Sequence, residues 1–202
     1  MKFIICLLIS LFICSDVFAD DRISVDFSKC VDGDTAYFYV DGVEKKFRFL
    51  GIDSPETVHP TKGEEIGGKS ASEFTCNELM NASVIEVMYD PASDKKDKYD
   101  RELVWVYVDN VLLQKKLVRE GYAEVAYVYG DYLNVMDLCK EQKKAIREDL
   151  GIWYDSYRVE GFCSQYEEEG IEDNMSTLYV VFGIVGTILF CLTLYFEYKK
   201  KI

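Results

Sequence analysis

The sequence predicts an α+β fold, five short strands with three helices interposed. Three observations carry that reading. Apolar and polar residues alternate in several runs of five to eight. A hairpin signal, Asp41-Gly42, separates two of those runs. Glycines close helix-period segments at Gly121 and Gly151. Such a pattern is compatible with a small closed barrel, and the strand pattern alone does not separate an OB barrel from other small α+β folds.

In chain order, Arg22–Val31 reads as a first strand, with Ile23, Val25 and Phe27 alternating with polar residues. Ala36–Val40 and Val43–Leu50 form the hairpin around Asp41-Gly42, with Phe47 and Phe49 on one face and Arg48 and Leu50 on the other. The second strand runs into a turn at Ser54-Pro55, because proline cannot donate to a ladder and holds the residue before it extended. Gly67–Met80 is a helix with Ala71, Phe74, Leu79 and Met80 near one face. Val84–Tyr89 and Leu103–Val108 are the last two strands, separated by the polar loop 90–102. Val111–Glu120 and Tyr132–Leu150 are the remaining helices, and Trp153 is expected to seal the core.

The ends of the chain differ in character. Residues 1–19 have a basic start, a short apolar core and the small-residue end Val17-Phe18-Ala19, the pattern of a secretory signal peptide; an uncleaved anchor is the alternative. Residues 154–175, with seven acids and little apolar content, read as a solvated stalk. Leu178 to Phe196 is apolar apart from Thr187, Thr193 and two glycines. As a helix it would rise roughly 28 Å, enough to cross a bilayer. Residues 176–198 are therefore expected to be a C-terminal transmembrane helix, with 199–202 a short basic cytoplasmic tail. Lys199-Lys-Lys-Ile202 also resembles a dilysine retrieval signal. The domain at 20–153 is then expected outside the cytosol, at the cell surface or in the endoplasmic reticulum or secretory lumen.

Charge and rare residues narrow the chemistry. The formal net charge is −13. Setting aside the −6 of residues 154–175 and the +2 of residues 176–202 leaves −9 on the middle of the chain. An acidic domain steers polyanions poorly, so any nucleic-acid contact must be local. His59 is the single histidine, which excludes mechanisms that need two and argues against most zinc sites. Four of the seven cysteines, Cys30, Cys76, Cys139 and Cys163, lie outside the two apolar end segments. In an oxidising compartment they permit two disulfides. Cys139–Cys163 is the first pairing to expect, with free buried thiols the alternative. Asn81 and Asn174 fit the glycosylation pattern.

One stretch gathers the remaining signals. Phe47-Arg-Phe-Leu-Gly-Ile-Asp-Ser-Pro-Glu-Thr57 places a guanidinium and two carboxylates around one strand and turn. Upstream stands Val31-Asp-Gly-Asp-Thr35, and downstream Asp97-Lys-Tyr-Asp-Arg101. Hard oxygen ligands suit a divalent cation, and planar guanidinium suits phosphate.

With His59-Pro60, Leu117-Val-Arg-Glu-Gly-Tyr-Ala123, Ala126-Tyr-Val-Tyr129 and Gly151-Ile-Trp153 in the same order, these motifs resemble the staphylococcal (micrococcal) nuclease family. The resemblance covers roughly residues 23–153. It implies a five-stranded OB-fold barrel with three helices and a Ca²⁺-dependent phosphodiesterase acting on DNA and RNA, single-stranded or frayed by preference, with 3′-phosphate products. It implies Asp34, Asp53 and the Ser54 carbonyl as Ca²⁺ ligands, with Asp32 behind them holding water or a turn amide. Glu56 is implied to handle the attacking water. Arg48 and Arg101 are implied to clamp the phosphate, and Lys62, Lys98, Tyr99, Tyr127 and Tyr129 to contact the nucleotide. His59 is expected to make a loop hydrogen bond only. Calcium is the one cofactor expected, and the membrane, through the C-terminal helix, the one partner besides nucleic acid. Asp100 stands where related sequences often carry glycine, and Glu102 follows; these two acids could pair with Arg101 in competition with phosphate, or repel the substrate. The rival readings are a nucleic-acid-binding module without catalysis and a membrane adaptor of the same fold.

Overall fold

The computed structural model describes residues 21–57, 65–154 and 161–165. The first expected strand is split. β1 (Ile23–Ser24) and β2 (Asp26–Cys30) flank buried Val25, and each half pairs with a different neighbour. β1 pairs antiparallel with β6 (Ile85–Met88), while β2 pairs antiparallel with β3 (Thr35–Val40). β3 pairs with β4 (Val43–Phe49), and β4 lies parallel to β7 (Glu102–Val108), which returns antiparallel to β6. One strand thus meets both edges of the sheet and closes it into a five-stranded barrel.

The Asp41-Gly42 turn has φ of 51° and 78°. Two left-handed residues in succession match the twist of the strands they join, and Val40 stands opposite Val43. Alternation along β3 and β4 sends Ala36, Phe38, Phe47 and Phe49 into the barrel, all fully buried. Phe38 and Phe47 pack edge to face with centroids 5.2 Å apart.

Three helices accompany the barrel: α1 (Gly68–Asn81), α2 (Leu113–Arg119) and α3 (Val135–Arg147). Two differ from expectation. Val111 and Leu112 form a short strand, β8, paired to β7, before α2 begins. α3 starts late because the Leu133 amide donates to Asp90, 2.8 Å, and holds the chain off the helix path. α3 also ends before Gly151. Asp149 takes φ 52°, and the Leu150 amide returns to the Ala145 carbonyl, 3.0 Å. Gly121 does close α2: its φ is 71°, and the Tyr122 amide reaches back to the Leu117 carbonyl, 2.8 Å. A Cβ there would collide with the Leu150 backbone. Trp153 is buried in a short 3₁₀ turn, Gly151–Trp153, as expected.

Two short strands unforeseen in the sequence, β5 (Ile52–Asp53) and β9 (Glu124–Val125), pair antiparallel in a small separate sheet. Disulfides join Cys30 to Cys76 and Cys139 to Cys163, so the free-thiol alternative is set aside.

The expected fold class is corrected at its C-terminal end. Among the described residues no helix is long and apolar enough to cross a membrane. The architecture that stands is the α+β domain alone. The segment 176–198, the leader 1–19, the tail 199–202, His59, Lys62 and Asn174 lie outside the described residues, as does most of 154–175. From Ser164 the chain belongs to a second unit, of which Ser164 and Gln165 are described.

Candidate active site

The site grows from the β2–β3 turn. Gly33 lies so close to α1 and the Ser54 turn that a Cβ would meet Ser54 Oγ at 2.7 Å and Ala71 Cβ at 2.9 Å. Only glycine lets the turn settle there. The Thr75 hydroxyl of α1 donates to the Gly33 carbonyl, 2.6 Å, and the Cys30–Cys76 bond ties β2 to the same helix. The turn amide of Asp34 donates to Asp32, 3.3 Å.

Asp34 is thereby presented, buried, to two partners. It accepts from the Ser54 amide, 2.8 Å, and pairs with Arg48, 2.8 Å. A third bond comes from the Thr35 hydroxyl, 3.0 Å. Arg48 is buried on the outer side of β4. One of its terminal nitrogens meets Asp34, and the other meets Asp53 at 3.0 Å. The guanidinium therefore bridges the two carboxylates expected to bind a cation. It also donates to the Phe49 carbonyl, 3.1 Å. The Tyr127 ring covers it at 5.7 Å.

Negative charge exceeds positive here. Asp32 is pushed up to about 7, first by burial and then by Asp34. Asp53 is raised to about 6 by burial and by Asp34, with Arg48 offsetting part and Glu124 and Glu56 adding to the rise. The Asp53 charge in turn lifts the Tyr127 phenol above its ordinary value. Glu56, exposed at the rim, belongs to the same field as Asp32 and Asp53.

The donor set fits a hard divalent cation. Asp34 and Asp53 converge on one guanidinium, and burial and mutual repulsion leave charge that such an ion would offset. Among the described residues no three histidine, cysteine or acidic side chains group to hold a metal. The pair would need the Ser54 carbonyl and water to complete a shell.

The second arginine is held separately. Arg101 precedes β7, and the parallel register sets Glu102 beside Phe47. The Arg101 backbone thus enters next to Lys46, on the strand that carries Arg48. The Arg101 side chain pairs with Asp97, 2.6 Å, and Asp97 also accepts the Tyr99 and Arg101 amides. Burial pushes Asp97 upward, but these Arg101 and Tyr99 bonds outweigh it and hold the carboxyl below its usual range. The expected competition from Asp100 and Glu102 is corrected. Asp100, at φ 62°, pairs with Lys96 at 2.7 Å. Glu102 is buried with Tyr89, Lys45 and Lys96. Lys98 and Arg101 both lie over the Tyr99 ring, at 5.0 and 5.5 Å. Tyr129 is 83 % exposed, two residues beyond Tyr127.

A family model described as "Staphylococcal nuclease homologue" matches residues 46–155. The chain belongs to that family. It is 37 % identical over 134 residues to the SPbeta prophage-derived endonuclease YokF of Bacillus subtilis, covering 66 % of this chain and 45 % of that protein. It is 34 % identical over 132 residues to Endonuclease YncB of the same organism, covering 65 % and 62 %. Against a thermonuclease of Staphylococcus intermedius, identity is 36 % over 126 residues, covering 62 % and 73 %. The match therefore spans less than two thirds of the two Bacillus relatives' own length.

Three residues that shape this site escaped sequence reasoning. Glu124 stands opposite Asp53 across β5–β9, a pairing too short to leave a periodic signal. Thr75 acts through a helix whose face reads as core. Asp97 lay within the Asp-Lys-Tyr-x-Arg motif, where an aspartate that can close a turn on the amide two residues on is the local signal that could have revealed it.

The raised pKa values of Asp32 and Asp53 give a testable stability profile. Without a cation, folded Asp32 and Asp53 keep protons that the unfolded chain loses above about pH 4. The folded state then binds more protons between about pH 4 and 7, so stability falls as pH rises through that window. In chelator, the thermal midpoint is expected to be higher at about pH 5, inside that window, than at about pH 7.5, above it. Asp32→Asn should flatten the decline. A profile equally steep in that variant would place the cause elsewhere.

Proposed function

We propose that this chain is a Ca²⁺-dependent nuclease that hydrolyses phosphodiester bonds of DNA and RNA and leaves 3′-phosphate ends. The observation that carries the proposal is Arg48 laid across Asp34 and Asp53, with Glu56 in the same field. Membership of a family whose relatives are named endonuclease and thermonuclease supports it.

In this reading Asp34, Asp53 and the Ser54 carbonyl hold the cation, which supplies positive charge to the phosphate oxygens when bound. Arg48 would leave part of its carboxylate pairing for phosphate once that charge arrives, and Arg101 would approach from the adjacent strand. Two forked cations stabilise the extra negative charge of an in-line transition state. Glu56 orients water or takes its proton. Lys62, Lys98, Tyr99, Tyr127 and Tyr129 would seat the nucleotide, with ring faces against sugar or base. Single-stranded or frayed strands suit a phosphate that must reach a half-buried pair of acids. Two disulfides support an extracytoplasmic, oxidising location.

The binding-module alternative is disfavoured because Asp34, Arg48, Asp53, Glu56 and Arg101 are all present. The deciding experiment gives the full chain single-stranded DNA with Ca²⁺, with and without chelator. Cleavage abolished by chelator, with 3′-phosphate ends, is expected. Binding without cleavage would favour the module, and cleavage in chelator would refute the metal role.

A further inference from the structure

A cationic and aromatic row leads away from the site along the outer face of the barrel. Thr35 pairs with Arg48 across β3–β4, and two residues further along each strand Tyr37 pairs with Lys46. Lys29 of β2 stands on the other side of Tyr37. Alternation puts Arg48 and Lys46 on the same side of β4, and Thr35 and Tyr37 on the same side of β3. Both lysines in fact meet the Tyr37 ring, Lys29 at 4.2 Å and Lys46 at 5.8 Å.

Arg101 stands one residue before β7, and carrying the Phe47–Glu102 register back by one step brings its backbone beside Lys46, at the start of a row that crosses β4 and β3 to β2. Lys46 makes no ion pair among the described residues, whereas Lys29 shares its charge with Glu44 at 3.2 Å. The next row out is acidic or neutral: Glu44 pairs with Tyr39, and Asp26 lies opposite Tyr39. The favourable surface is therefore one step deep.

From this we infer that Lys29, Tyr37 and Lys46 form a subsite for the nucleotide one step beyond the two joined by the cleaved bond, its phosphate held by the lysines and its base stacked on Tyr37. The inference rests on the nuclease reading for which phosphate is cleaved, though not for binding itself. Two residues of strand advance about 6.6 Å, comparable to one nucleotide step of an extended single strand. Lysine as a point charge and tyrosine as a platform give binding without base preference. On a domain with an acidic balance, this row would confine strand contact to one line.

The test compares dinucleotide and hexanucleotide single-stranded DNA in Ca²⁺, using the full chain, Lys46→Ala, Lys29→Ala/Lys46→Ala and Tyr37→Ala. For the hexanucleotide, KM is expected to rise about ten-fold in Tyr37→Ala, the loss of one stacked base. The double lysine variant should lessen the salt dependence of its binding by about 1.4 in log–log slope. Cation affinity, the circular dichroism of the fold and kcat should stay unchanged, and so should KM for the dinucleotide. Equal KM rises on both substrates, or none on either, would overturn the subsite while leaving the nuclease intact. If wild type binds the hexanucleotide with the lysine-dependent salt slope but cleaves nothing, the nuclease reading fails and the subsite stands. If wild type neither binds nor cleaves, both fall.

Discussion

Replacing Arg48 by methionine is expected to lower the cleavage rate by roughly 10³–10⁵-fold, the range for an arginine that stabilises a transferring phosphoryl group. Methionine keeps much of the side chain's length and its packing beneath Tyr127, so the loss isolates the charge. Lysine should not restore the rate. A single ammonium cannot span Asp34 and Asp53 as the two terminal nitrogens do at 2.8 and 3.0 Å, nor grip two phosphate oxygens at once. Single-turnover cleavage of one labelled oligonucleotide measures both variants. Activity within ten-fold of wild type (about 1.4 kcal/mol of barrier) in the methionine variant would end the clamp role.

The same substitution carries a stability signature that a purely catalytic group would lack. In the cation-free protein it strips the opposite charge from a buried carboxylate and from a half-buried one. Breaking a buried pair in this way costs about 3–5 kcal/mol, less here for the share that water screens at Asp53. A bound cation would replace the missing charge, so Ca²⁺ should raise the thermal midpoint of Arg48→Met more than that of wild type. This inversion, a damaged enzyme that gains more from the ion, separates loss of fold from loss of chemistry.

How far the sequence revealed this site depends on how local each signal is. Arg48, Asp53, Ser54 and Glu56 fall on one strand and its turn, so their convergence is written in consecutive residues. Asp34 comes from the turn that leads into the neighbouring strand β3 and was legible through that compact turn. The β3–β4 hairpin was equally plain, because Asp41-Gly42 dictates its geometry. What was hidden depends on long-range pairing. The split of the first strand at Val25 follows from closing the barrel, and the β5–β9 ribbon exists only because the chain after α2 returns to the Ser54 turn. The wrong partners expected for Arg101 have the same origin. Side chains flanking it in sequence point to Lys96, Lys45 and Tyr89, and the left-handed Asp100 turns the loop so that Asp97 meets the guanidinium instead.

Exchanging Glu56 for glutamine is expected to lower kcat by about 10²–10⁴-fold, the contribution of a positioned general base, while leaving the fold and cation affinity close to wild type. The reason lies in its attachments. The backbone of Glu56 is fastened to Glu65, its amide donating to that carboxylate at 3.2 Å and its carbonyl accepting the Glu65 amide at 3.0 Å. Neither bond uses the side chain, so the amide variant preserves the turn. The carboxylate stands exposed at the rim, where substrate and water can both reach it. Glutamine can still orient a water by accepting a hydrogen bond, but it cannot take a proton. The size of the loss therefore discriminates between the two roles. A fall of several hundred-fold, with the acidic limb of the pH–rate profile gone, assigns proton transfer to Glu56. A fall below about ten-fold, with that limb intact, assigns it only the placing of water, and Asp32, raised to about 7 beside Asp34, becomes the group to substitute next.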